Sequence, residues 1–168
     1  MGLDMYLTAE RYLSDFNPAD KVAAQTIQSA LQASFPPKIV SLEVAYWRKA
    51  NHIHRWLVEN CQEGRDECQK SDVSREQLQA LYDLASRALA APQTVGRAEL
   101  PTQPGFFFGG TGYDDDYVDD LHDTCKQLER IFGIARIQGR KLCVLLSGQL
   151  VSTLESKGKN FLSRQITL

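Results

Sequence analysis

The chain has 168 residues, 43% of them hydrophobic and 24% charged, with a net charge of −2; this is an ordinary globular composition, long enough for one core without disulfides or a structural metal. The charge is unevenly spread, with 13 Lys/Arg against 20 Asp/Glu in residues 1–133 and 6 against 1 in residues 134–168. The acidic body argues against nucleic-acid binding, which needs a basic face, and no apolar run exceeds Leu142–Leu146, far too short to span a bilayer.

Residues 3–7 alternate Leu3, Met5 and Leu7 with Asp4 and Tyr6, which predicts a half-buried strand. Asn17-Pro18-Ala19-Asp20 reads as a helix start, with a short helix over Val22–Ala33 stopped by Pro36-Pro37. From Leu42 to Asn60 there is no Pro or Gly, and Trp47, Ala50, Asn51, His54 and Val58 share a helical face, so the spacing predicts one long helix. Ser74-Arg75-Glu76-Gln77 is a capping box, followed by an apolar stripe through Leu78, Leu81, Tyr82, Ala85, Ala88 and Leu89. Residues 92–105 read as a loop, and Gly105–Phe108 as a short buried strand. A helix over 113–131 then turns Tyr117, Leu121, Cys125 and Leu128 inward. Leu142–Leu154 fits strand and helix equally well. The expected fold class is α+β: one small domain with a short antiparallel sheet from residues 3–7, 105–109 and part of the tail, packed against three or four helices.

Cys61, Cys68, Cys125 and Cys143 form no C-x-x-C pair, and no basic-then-apolar leader is visible, so the expectation is a reduced, cytoplasmic protein with no zinc site and no membrane anchor. Position 6 is Tyr rather than the Ser or Thr of a myristoylation signal.

Three blocks, M-G-L-D-M-Y-L, E-V-A-Y-W-R-K-A-N-H-I-H-R-W and L-P-T-Q-P-G-F-F-F-G-G-T-G-Y-D, together resemble a family of small tailed-phage and prophage proteins of undetermined function. The resemblance covers residues 1–7 and about 42–131. Some of those proteins carry an automatic phosphoglycerate-kinase label, which neither the length nor any phosphate-binding motif of this chain supports. Similar phage proteins finish with an aromatic strand like F-Y-Y-Q-S-S-W, and nothing of that kind follows Arg130 here. The resemblance therefore implies a domain over residues 1–133 and a divergent basic tail over 134–168. That tail is either a frameshifted or replaced terminus, whose removal would cost little stability, or a genuine extension.

The candidate ligand site is the junction Gly109-Gly110-Thr111-Gly112, read as a strand-to-helix turn that leaves N–H groups free at a helix start. Candidate site residues are Trp47, Arg48, Asn51, His54, Phe107, Gly109, Gly110, Thr111, Tyr113 and Tyr117. Asn51 and His54 are either a core polar network or a pocket wall; in the second case His54 moves a proton, Asn51 reads a ligand edge and Arg48 clamps a carboxylate or phosphate. The Phe106–Phe108 run is either core or a stacking surface. The carboxylates from Asp114 to Asp123 suit a solvated helix start and oppose a bare phosphate at the turn, favouring a neutral or cationic group there. No cofactor or metal is implied. Two functions are open: a non-enzymatic phage accessory protein that binds a host protein or small ligand, or a nucleotide-directed enzyme or sequestering (anti-defence) protein in which Arg48, Asn51 and His54 face the Gly109–Tyr113 turn.

Overall fold

The computed structural model describes residues 2–133 and the backbone of residues 141–147. The chain runs β1 (Asp4–Tyr12), α1 (Pro18–Leu31), β2 (Ile39–Arg48), α2 (Asn51–Cys61), β3 (Lys70–Asp72), α3 (Arg75–Ala90), a π-turn at Pro92–Gly96 leading into α4 (Arg97–Glu99), α5 (Asp115–Gly133) and β4 (Lys141–Ser147). This is the expected small α+β domain. The sheet is antiparallel in the order β2-β1-β4-β3.

The β1 alternation sets the inside and outside of the sheet. Leu3, Met5, Leu7 and Ala9 are buried, whereas Asp4, Tyr6, Thr8 and Glu10 on the other face are half-buried. On that second face Tyr6 sits opposite Tyr46 of β2, the rings 5.0 Å apart, and the Tyr46 hydroxyl donates to the Asp4 carboxylate. Helices α2, α3 and α5 supply Ile53, Leu57, Leu78, Leu81, Leu121, Leu128 and Ile131 to the core. The Ser74 box forms in full: Gln77 N–H donates to Ser74 Oγ at 3.1 Å and Ser74 N–H to Gln77 Oε1 at 2.8 Å. Tyr117, Leu121, Cys125 and Leu128 all point inward from α5.

Four expectations require correction, the first being the loop over 92–105, whose first part, 92–99, is helical. The helix expected over 42–60 is two elements, β2 and α2, broken at Lys49-Ala50. Ala45 and Trp47 are buried two residues apart, as in a strand, so Trp47 shares no helix face with Asn51 and His54. Residues 105–109 form no strand and take no part in the sheet. Phe108 N–H bonds back to Gly105 O at 3.2 Å in a turn, and Phe106 is 94% exposed, so the triple-Phe run is not simply core. The helix after it starts at Asp115, which leaves Gly109–Gly112 in a loop before the helix rather than at its first turn.

In the tail, residues 141–147 pair with β1 on one side and β3 on the other, Val144 lying opposite Leu7 and Ser71. The expectations for 148–154 lie outside the described residues. No described helix is long and apolar enough to cross a membrane.

Candidate functional site

The break between β2 and α2 builds the first wall of a cleft. Lys49 has φ of 62°, in the left-handed region that side-chain-bearing residues seldom adopt. Its N–H is tied to Leu3 O at 2.7 Å. The Gly-rich loop packs directly on this strained residue: a Cβ on Gly109, itself at φ 84°, would lie 3.2 Å from Lys49 Cβ and 3.3 Å from Lys49 O. Position 109 therefore accepts only glycine without a shift of backbone.

Asn51, the first residue of α2, holds that loop in place. Its Nδ2 donates to Phe108 O at 2.9 Å and Gly110 O at 2.7 Å, and its Oδ1 accepts from Gln103 N–H at 2.8 Å. The buried carboxamide is thus used on backbone, fixing two segments at once.

Between this loop, the Arg48–His52 junction and the first turns of α5 lies a cleft of about 300 Å³. Arg48, Lys49 and His52 line one side, Gly109, Gly110 and Gly112 the loop, and Asp114, Asp116, Tyr117, Asp119 and Asp120 the other side. Arg48 lies 3.9 Å from Asp4, whereas Lys49 enters no ion pair among the described residues. Asp120 is half-buried, and burial together with Asp116, Asp123 and Asp119 pushes its carboxyl up to about 7. His52 is 2% exposed, and burial pushes its imidazole down to about 3, so the ring is neutral. It packs on Tyr117 with ring centroids 4.3 Å apart, and its Nε2 has no hydrogen-bond partner among the described residues.

The residues expected to share a site divide between this cleft and its surroundings. Arg48, Asn51, Gly109, Gly110 and Tyr117 line it. Trp47 lies in the core, its indole N–H donating to Thr124 Oγ1 at 2.9 Å. His54 is buried outside the cleft lining, its ring 5.0 Å from Phe108 and its Nε2 3.4 Å from Asp66. Burial lowers its pKa and Asp66 opposes that shift. Phe107 is half-buried, its carbonyl accepting from Leu3 N–H at 3.1 Å. Thr111 O accepts from the Thr102 hydroxyl at 3.0 Å, and Tyr113 packs beneath Arg97 and against Tyr117, its hydroxyl accepting from Thr102 N–H at 3.2 Å. These last two brace the loop.

Sequence reasoning missed Lys49, His52 and Asp120 as cleft residues. The signal for Asp120 was present: at i+3 from Tyr117 and i−1 from Leu121 it borders the apolar stripe, unlike Asp115. Among the described residues no three His, Cys, Asp or Glu side chains converge to hold a metal ion. Among the described residues Cys61 and Cys125 are free thiols, and burial pushes Cys61 up to about 11, which makes it a poor nucleophile at neutral pH. No protein-family model, curated protein or solved structure matches the chain.

Proposed function

We propose that this is a non-enzymatic phage accessory protein that acts in the host cytoplasm by holding a small polar ligand in the cleft between the Gly-rich loop and α5. The phage setting rests on the sequence resemblance alone. The binding role is supported by one observation above all: Asn51 uses both of its amide hydrogens and accepts one N–H on its carbonyl oxygen, all with the loop backbone, so that the cleft wall is fixed by a buried hydrogen-bonded bracket rather than by chance packing. Preformed clefts of roughly 300–1,000 Å³ are the usual ligand sites, and this one is at the small end. Of the three residues of the nucleotide reading, Asn51 is bound to the loop backbone, His54 lies outside the cleft lining and Arg48 lies 3.9 Å from Asp4, and four Asp side chains in the lining oppose phosphates.

Gly110 offers a direct test, because it lines the cleft and nothing lies within 4 Å of a Cβ built there, so a large side chain can be added at the cleft without a clash at its Cβ. A thermal-shift screen of amino acids, amines, sugars, nucleotides and dicarboxylates should find a stabilising class for the native protein. Gly110→Trp should abolish that shift while leaving the unliganded melting temperature nearly unchanged. Binding of a host protein that survives Gly110→Trp would move the function to another surface.

A further inference from the structure

The cleft has two electrostatic ends. At the junction of β2 and α2 stand Lys49, without an ion pair among the described residues, and Arg48, 3.9 Å from Asp4. Across from them α5 presents Asp116, Asp119 and Asp120. A plain anion meets more carboxylates than cations here, and a plain cation leaves Lys49 uncompensated. The lining also includes His52, 98% buried, whose Nε2 has no hydrogen-bond partner among the described residues. A buried polar atom of this kind is costly until a partner arrives.

Building on the proposed binding role, we propose that the ligand is a small zwitterion of amino-acid size. Its ammonium or guanidinium group is taken by Asp116, Asp119 and Asp120, its carboxylate by Lys49 and Arg48, and a polar group between them pairs with His52.

Proton release follows from the same arrangement. The groups facing the Asp120 carboxyl are Asp116, Asp119 and Asp123 on its own helix, and Arg48, Lys49 and His52 across the cleft with Asp114 in the preceding loop. With its carboxyl raised to about 7, Asp120 is partly protonated in the free protein. A docking cation favours the ionised form and expels that proton. Affinity therefore rises with pH through about 7 and levels off above it.

The test is calorimetric titration with β-alanine, γ-aminobutyrate, 6-aminohexanoate, L-lysine and L-arginine, against cadaverine, hexanoate and AMP, with backbone NMR shifts locating each site. At least one zwitterion should bind ten times more tightly at pH 8 than cadaverine or hexanoate, and should weaken severalfold from pH 8 to pH 6. Matched titrations in two buffers of different ionisation heat should show proton release near pH 7. Asp120→Asn should remove both the pH dependence and the proton release, whereas Asp123→Asn, outside the cleft lining, should keep both but move their midpoint to lower pH, since the Asp123 charge helps to raise the Asp120 carboxyl. AMP or hexanoate binding more tightly, with shifts at Lys49 and Gly110, overturns the zwitterion and leaves the cleft reading standing. Zwitterion binding that is independent of pH in the native protein also overturns the proposal. The absence of any shift at Lys49, His52 and Gly110 with every probe overturns both.

Discussion

Helices α1 and α5 are held to the molecule in opposite ways. From α5 the side chains of Tyr117, Leu121, Thr124, Cys125, Leu128 and Ile131 are buried, whereas α1 buries only Asp20 and Ala24. The arm that carries α1 exposes Phe16, Phe35, Leu31, Tyr12 and Val22. Its attachments are polar: Arg11 pairs with Asp20, Lys38 with Asp15, Ser14 N–H donates to Asp20 Oδ2 at 3.2 Å, and Leu13 N–H to Lys38 O at 2.8 Å. Burial of a leucine contributes roughly 1.5–3 kcal/mol, against about 1 kcal/mol for an exposed ion pair at best. The body should therefore carry the global stability, and the arm should open locally at far lower cost.

The largest effect that sharpens this contrast is expected from deleting residues 134–168. The deletion takes β4 from between β1 and β3 and strips hydrogen-bond partners from both. Urea denaturation should show a loss of several kcal/mol, of the order seen when core packing is removed. A loss under about 1 kcal/mol would instead return the boundary of the folded unit to Gly133. Next, Leu121→Ala should cost about 2–5 kcal/mol, since the side chain is fully buried. Asn51→Ala strands two carbonyls and one N–H, at about 1–3 kcal/mol. Hydrogen exchange at Gln103 should accelerate in that variant even where the rest of the body remains protected.

A smaller effect reports on the cleft. The Asp120 carboxyl is raised in the folded state, so between the ordinary carboxylate range and about pH 7 the folded protein holds a proton that the unfolded chain has lost. This group's contribution to stability therefore falls as pH rises across that window and stays low above it. Asp120→Asn should accordingly stabilise the unliganded protein at pH 8, by about 1 kcal/mol after discounting for solvent screening. The gain should disappear towards pH 4.5, read as the difference in melting temperature between the two proteins. Smallest of all, Leu31→Ala on the arm should change stability by less than about 0.5 kcal/mol, because the residue is 72% exposed. A cost near that of Leu121→Ala would show the arm to be packed against something in solution.

Where local chemistry and tertiary packing agree, the sequence is legible. The Ser74 box, the Asn17 cap with Pro18 behind it, the inward stripe of α5 and the alternation of β1 are all read directly. The boundary between β2 and α2 is hidden for identifiable reasons. Its turn uses Lys49 and Ala50 rather than Gly, Pro or a side-chain cap, and Ala50 makes no capping bond. A register shift opposite Leu7-Thr8 also interrupts the period-2 pattern of β2, leaving only Ala45 and Trp47 as its buried pair. The enrichment of Ile39, Val40, Val44, Tyr46 and Trp47 is the strand signal that outweighs the absence of a breaker. The cleft was half legible: Gly109, Gly110 and Tyr117 belong to the right loop and helix, but the residue facing them from α2 is His52 rather than His54. The difference lies in tertiary partners that no spacing reveals: His54 packs on Phe108 beside Asp66, whereas His52 packs on Tyr117 of α5, in the cleft lining.

Gln127 has a consequence for how this molecule meets other chains. Its carboxamide accepts from Tyr46 N–H at 2.7 Å and donates to Tyr46 O at 3.0 Å, so one side chain of α5 occupies both backbone groups at that point on the outer margin of the sheet. It works as a single-residue stopper. A foreign β-segment laid along β2 from Ile39 can extend its ladder only until it meets Tyr46, which confines strand addition to a short stretch and guards against the continuous edge-to-edge stacking from which aggregates grow.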